Sequence, residues 1–224
     1  MIDLGTILNG LLAGGLYAVV GLGLSLAFGV MRLVNLAHGE LMILGAYASA
    51  LVIGFTGMDP LLSLVLVAPA MFCIAYPVQR YVFSPLLARG QEPPLVATFG
   101  VSLLISAGLV LGFGGDSRSL ASGYGSAGVS LLGVTVRVTG LITIAVAVVL
   151  IVGMHLLTKK TQWGAALRAA AADPTTASTM GINVANLYGL TFGISAVFAA
   201  VAGVLVGVGY SFTPTTGANY LLIG

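Results

Sequence analysis

The charged residues of this chain fall in a few places, and long uncharged windows separate them. Residues 4–31, 41–58, 60–79, 93–115, 138–158 and 174–224 contain no Asp, Glu, Lys or Arg. A helix crossing a hydrocarbon layer about 30 Å thick needs roughly 20 apolar residues, so each window is long enough for a span. Membrane-spanning β-strands would be about half that length, with period-two alternation, and these windows have neither property. Only 6% of residues are charged and 58% are hydrophobic, whereas a soluble globule is about one quarter charged. The solvent of this chain is lipid. A net charge of +2 with scattered basic residues also excludes a nucleic-acid footprint.

The fold class that follows is all-α: a polytopic transmembrane helical bundle of about six spans in a single domain over residues 1–224. Helices are expected at 5–30, 38–55, 61–82, 95–114, 140–157 and 184–210, with a short tail that begins a further element. The chain opens Met1-Ile2-Asp3, without the basic n-region of a secretory signal, so the first window is expected to be a retained helix. The single cysteine, Cys73, lies in an apolar run. It excludes an intrachain disulfide, and inert packing is its expected role.

Sidedness follows from the basic residues. Counting from the N-terminus, the odd connections carry Arg32, Arg80, Arg89, Lys159, Lys160 and Arg168, and the even ones carry Arg118 and Arg137. The positive-inside rule then places the odd connections in the cytoplasm and the N-terminus outside. The long external connection after the fourth helix ends in an alternating stretch over 129–138, which reads as a small β-hairpin with a turn at Gly133. Glycine recurs at small-xxx-small spacing, as in Gly10/Gly14 and Ala199/Gly203/Gly207. Such residues let membrane helices approach closely. The polar breaks at 35–40 and 214–219 each follow a Gly-rich helix, a hint of internal repetition of the transporter kind.

The internal segment 158–184 is the most informative. Gly164 opens an Ala-rich run with strong helix propensity that contains Leu167, Arg168 and Ala171. Asp173 and Pro174 then supply an N-cap side chain and a proline at the first position of a second short helix. Gly181 is placed where that helix needs a left-handed residue. Two short helices with small side chains suit the groove of another protein. An amphipathic connector lying on lipid headgroups is the plainer alternative.

Here the sequence resembles a known family. Arg168-Ala169-Ala170-Ala171-Ala172-Asp173-Pro174, with Ala177 and Gly181-Ile182-Asn183, resembles the cytoplasmic coupling loop of permease subunits of branched-chain amino acid ABC transporters. Gly15-Leu16-Tyr17-Ala18, Phe28-Gly29-Val30-Met31, Asn35-Leu36-Ala37-His38-Gly39-Glu40 and Gly45-Ala46-Tyr47 look like that family's first block. Ser84-Pro85-Leu86 with Ala97-Thr98-Phe99-Gly100 is similar to the next, although the family often has an Arg where Ser84 stands. The resemblance runs over essentially the whole chain. It implies a LivH-like permease subunit in a bacterial inner membrane, paired with a second permease subunit (homo- or heterodimer), ATP-binding subunits and a periplasmic or extracellular solute-binding protein. Residues 159–183 would be its coupling loop. Family members continue past the part resembling Thr213-Pro214-Thr215-Thr216-Gly217, whereas this chain stops at Gly224, so a C-terminally truncated form is expected.

The segment holding Asn35, His38 and Glu40 is the second informative place. Glu40 is costly in hydrocarbon, so it is expected to face a water-filled path or a partner. Asn35 and His38 are three apart and would share a helix face, which His38 and Glu40 would not. That spacing argues against a metal or acid–base pair. Two roles stay open: capping and bracing the second helix, or lining the substrate path. The first window is about 42 Å long as a helix, roughly 12 Å more than the hydrocarbon needs, so the depth of this segment also stays open. His155, Trp163 and Tyr210 read as interfacial residues, and Asn183, Asn186 and Asn219 as groups able to bond between helices.

No G-x-x-x-x-G-K-[ST] loop is present, so ATP hydrolysis is expected on a partner and no cofactor is expected here. An intramembrane enzyme lacks a nucleophile–base set. The alternative to an ABC permease is an ion-coupled secondary transporter of small solutes, which would carry an acidic residue deep within a helix. The solute stays open among branched-chain amino acids, other amino acids, urea and short amides.

Overall fold

The computed structural model describes residues 4–90, 92–125, 127–131 and 134–223. Among these, six helices are long and apolar enough to cross a membrane. They are α1 (Leu4–Met31), α2 (His38–Thr56), α3 (Pro60–Val78) with its continuation, α5 (Glu92–Phe113), α6 (Val138–Lys160) and α9 (Val184–Gly209). The third span continues beyond α3 through a π-helical turn (Gln79–Phe83) into α4 (Ser84–Leu87). Pro77 removes a backbone donor just before that turn, so the regular ladder is already interrupted there. Between the fifth and sixth spans lie α7 (Gln162–Ala172) and α8 (Pro174–Thr179), and α10 (Gly217–Ile223) follows the sixth. Strands β1 (Gly128–Leu131) and β2 (Val134–Arg137) pair antiparallel. The hairpin is therefore present, while its expected turn at Gly133 lies outside the described residues.

Helix α9 is the hub. Its most apolar window is 78% buried, against 17% for α5 and α6, so α1, α2 and α3 surround α9 while α5 and α6 keep most of their surface outward. Lipid tails are as apolar as leucine, so hydrophobicity alone does not drive these helices together and close backbone packing has to. The packing residues are small. A β-carbon at Gly45 would stand 2.5 Å from the Ala200 α-carbon, and one at Gly203 would overlap the Met42 carbonyl oxygen. Gly193 and Gly189 of α9 similarly receive the rings of Phe72 and Tyr76. Gly10 and Gly14 correct the expectation: they lie on an outward face of α1 and meet nothing within 4 Å, whereas Gly15 abuts Ile144. Cys73 is also corrected, because it is exposed on the outer face of α3 rather than packed inside.

The connections sort onto two faces. On one, the Tyr124 hydroxyl donates to Asp59 at 2.7 Å, joining the α5–β1 connection to the α2–α3 loop. Arg118 and Phe212 exchange backbone hydrogen bonds of 2.9 and 2.8 Å, joining that connection to the chain after α9. On the other face, residues from the α1 end, from α4 and from the α7–α8 segment enclose one cavity. This is the alternation expected of six spans.

Candidate functional site

The sequence-selected residues gather at two places. The first is where α1 breaks. Met31 ends the helix and Arg32 follows with φ 51°, its N–H donating to the Phe28 carbonyl oxygen at 2.8 Å. A left-handed residue closes a helix in this way, and with a β-carbon it costs about 1–2 kcal/mol. The chain then turns back into the bundle. Asn35 Oδ1 accepts from the Ala37 N–H at 3.0 Å, and the Leu36 N–H reaches Thr98 Oγ1 on α5 at 3.4 Å.

His38 begins α2 with its ring against Gly23 of α1, where a β-carbon would stand 2.7 Å from its Cε1. Gly23 lies eight residues before Met31, about 12 Å of helical rise. The break therefore folds back alongside α1 and packs against the bundle. Gly23 also receives Ser195 of α9, whose hydroxyl donates to its carbonyl oxygen at 2.7 Å. Three helices thus meet at one glycine.

Asn35, His38 and Glu40 are all buried. The expected shared helix face of Asn35 and His38 is corrected, since Asn35 precedes α2 and shapes the turn before it. His38 and Glu40 do point apart, as their spacing predicts: His38 meets α1, while Glu40 meets α10. A β-carbon at Gly217 would stand 2.6 Å from Glu40 Oε2, and one at Gly39 would overlap the Gly217 carbonyl oxygen. The break after α1 and the break after α9 therefore touch, joined at two glycines and one carboxylate. Among the described residues, Asn35 Nδ2 and Glu40 Oε2 have no hydrogen-bond partner, the His38 ring faces the Val20 backbone, and no metal-binding cluster is present.

The second place is the α7–α8 segment. Thr161 caps α7, accepting from the Gly164 N–H at 3.1 Å. Asp173 caps α8, accepting from the Thr175 N–H at 2.9 Å and from the Thr176 hydroxyl. Pro174 stands at the first helical position. Gly181 has φ 87°, the left-handed residue the spacing predicts. The Thr176 hydroxyl, followed by the backbone N–H groups of Thr176 and Thr175, holds the Asp173 carboxyl below its ordinary pKa.

Gly164 and Leu167 do not face outward. Gly164 backs onto Thr158, and Leu167 packs with Ala170, Ala177 and Leu187. Trp163 is half-buried and packs against two clusters, one around Leu167 and one around Met154. The outward face of α7 carries Ala165, Arg168, Ala169 and Ala172, and Arg168 Nη1 donates to the Thr158 carbonyl oxygen. Ala171 and Ala172 both line the cavity beside the segment.

One cluster was not selected from the sequence. Arg80, on the π-helical turn, donates to Asn186 Oδ1 at 2.6 Å and to the Tyr76 hydroxyl at 3.0 Å, and that hydroxyl donates to Asn186. It ties the third span to the first turn of α9, directly after the α7–α8 segment. The π-turn that aims Arg80 has no period in the sequence, so Asn186, already noted as able to bond between helices, was the only signal. Asn183 instead caps its own helix.

A family described as branched-chain amino acid transport system / permease component matches residues 6–224. The permease protein BraD of the high-affinity branched-chain amino acid transport system of Pseudomonas aeruginosa is 28% identical over 216 residues, covering 91% of this chain and 70% of BraD. The permease protein LivH of the corresponding Escherichia coli K12 system is 30% identical over 216 residues, covering 90% of this chain and 70% of LivH. No solved structure matches the chain. With six helices long and apolar enough to cross a membrane and a family match over residues 6–224, this chain belongs to the branched-chain amino acid transport system permease component family.

Proposed function

We propose that the chain is the transmembrane permease subunit of an ABC importer in a bacterial inner membrane, with its N-terminus outside, passing branched-chain amino acids or related small polar solutes. The family match over residues 6–224 carries this reading. Its partners are a second permease subunit, ATP-binding subunits and a solute-binding protein. The coupling element is the segment 159–183. In it Gly164, Leu167 and Gly181 fix the fold of α7 and α8, while Arg168, Asp173 and Pro174 lie on the exposed surface that an ATP-binding subunit would grip. Ala171 supports that surface from beneath.

The substrate path runs past Asn35, His38 and Glu40. The buried polar atoms Asn35 Nδ2 and Glu40 Oε2, which lack partners there, would be costly unless they served a polar solute or water. The alternative, an ion-coupled carrier, is not favoured by the family match.

The test is to express the chain with its neighbouring transport subunits, purify the assembly and measure ATP hydrolysis in proteoliposomes with and without the solute-binding protein. Copurification of an ATP-binding subunit, with hydrolysis stimulated by the loaded binding protein, is expected. Uptake that follows a proton or sodium gradient without ATP would overturn the reading.

A further inference from the structure

We propose that the cavity between the end of α1, α4 and the α7–α8 segment is a binding site for a zwitterionic aliphatic α-amino acid, distinct from the polar breaks at Glu40 and Gly217. The inference rests on the amino-acid reading of the transported solute. The cavity holds about 760 Å³, within the range of small-molecule sites. Its lining includes two opposite charges, Arg32 and Asp173. They do not neutralise each other: the hydrogen bonds of Asp173 go to Thr175 and Thr176. Those bonds leave acceptor capacity on a carboxylate that stays ionised at neutral pH.

Arg32 occupies a left-handed position that glycine fills without strain. What a side chain supplies there is a guanidinium, whose forked donors fit a carboxylate. A third group points the same way. The Ser84 hydroxyl oxygen is buried, lacks a partner among the described residues, and belongs to a residue lining this cavity. An α-amino acid complements all three: its carboxylate accepts from Arg32 and Ser84, and its ammonium donates to Asp173. An aliphatic side chain then lies on Met31, Leu87 and Val184. The site lies under the proposed coupling segment, on the face opposite Tyr124 and Arg118, so its occupant would sense solute on the product side.

The test is equilibrium binding of radiolabelled L-leucine to the full chain in lipid nanodiscs, with competition by 4-methylpentanoate (carboxylate only) and 3-methylbutylamine (ammonium only). Saturable binding is expected, weakened at least tenfold by Arg32→Gln and by Asp173→Asn, which keeps a capping oxygen. Leu87→Trp, which fills the cavity without touching either charge, should abolish it, and each single-charge analogue should compete at least tenfold less well than leucine. Asp116→Asn, exposed on the opposite connection, should leave binding intact. Absent binding, equal binding in the three cavity variants, equal competition by 4-methylpentanoate, or an equal loss in Asp116→Asn would each overturn the inference. Leucine uptake by the assembled importer, measured in parallel, separates the two readings: uptake without this site refutes only the site, and an importer that moves no amino acid refutes the transport reading.

Discussion

The α-carbon of Gly39 faces the Gly217 carbonyl oxygen so closely that a β-carbon would overlap it. The first turn of α2 and the start of α10 are thereby fixed at backbone contact, and neither can shift to admit a side chain. Gly39→Ala is expected to cost about 1–3 kcal/mol, as overpacking of a closed contact does. Gly29→Ala, where nothing lies within 4 Å, should be neutral or slightly stabilising. Thermal unfolding of both variants in nanodiscs checks the contrast, and equal melting temperatures would refute the contact.

Glu40 lies inside the same junction, whereas Asp116 is exposed on the opposite connection. In the assembled importer Glu40→Gln should reduce solute uptake severalfold while Asp116→Asn leaves it unchanged. Uptake by proteoliposomes with matched permease content is the measurement. Equal, negligible effects would remove Glu40 from the path.

Ala172 is exposed on α7, at the rim of the cavity that Ala171 also lines. Bulk at 172 should therefore block an ATP-binding subunit without disturbing the bundle. Ala172→Trp is expected to lose copurification of that subunit and most stimulated ATP hydrolysis, with monodispersity of the permease preserved. Full retention of both would leave the α7–α8 segment as a connector on lipid headgroups.

The cap on α8 has a pH dependence of definite sign. Hydrogen bonds hold the Asp173 carboxyl below its ordinary value of 3.8, so its contribution is complete above that value and is lost as pH falls through the lower folded value. Protection of the α8 amides from hydrogen exchange, corrected for intrinsic exchange rates, should be flat from neutral pH to about 5 and fall only in stronger acid. Asp173→Ala should lower it at every pH. A decline centred near neutrality would point to a different group.

Sidedness is tested by cysteine labelling in a Cys73→Ser background. Ser119→Cys lies on the face that holds Tyr124 and Asp59, and Thr179→Cys on the face of the α7–α8 segment; both positions are exposed. An impermeant thiol reagent added to intact cells should modify the first and spare the second. Modification of the second alone would invert the orientation.

The uncharged windows determined the spans by themselves, because crossing hydrocarbon is a demand on local composition and length. The Asp-Pro pair at 173 and the glycine at 181 likewise determined how α7 and α8 begin and end, since caps are made by neighbours in sequence. The tertiary structure decided what depends on distant residues. His38 packs on Gly23, whose carbonyl oxygen Ser195 holds, and Glu40 meets Gly217 only because the chain after α9 folds back onto α2. Gly164 and Leu167 were legible as helix residues, but their inward aim was not, because it is fixed by Thr158 and Leu187. Gly10 and Gly203 stand in equivalent local patterns, yet one is open and the other closed on Met42. Hydropathy and propensity act along the chain, whereas the partner of a small residue is chosen by which helix arrives across from it.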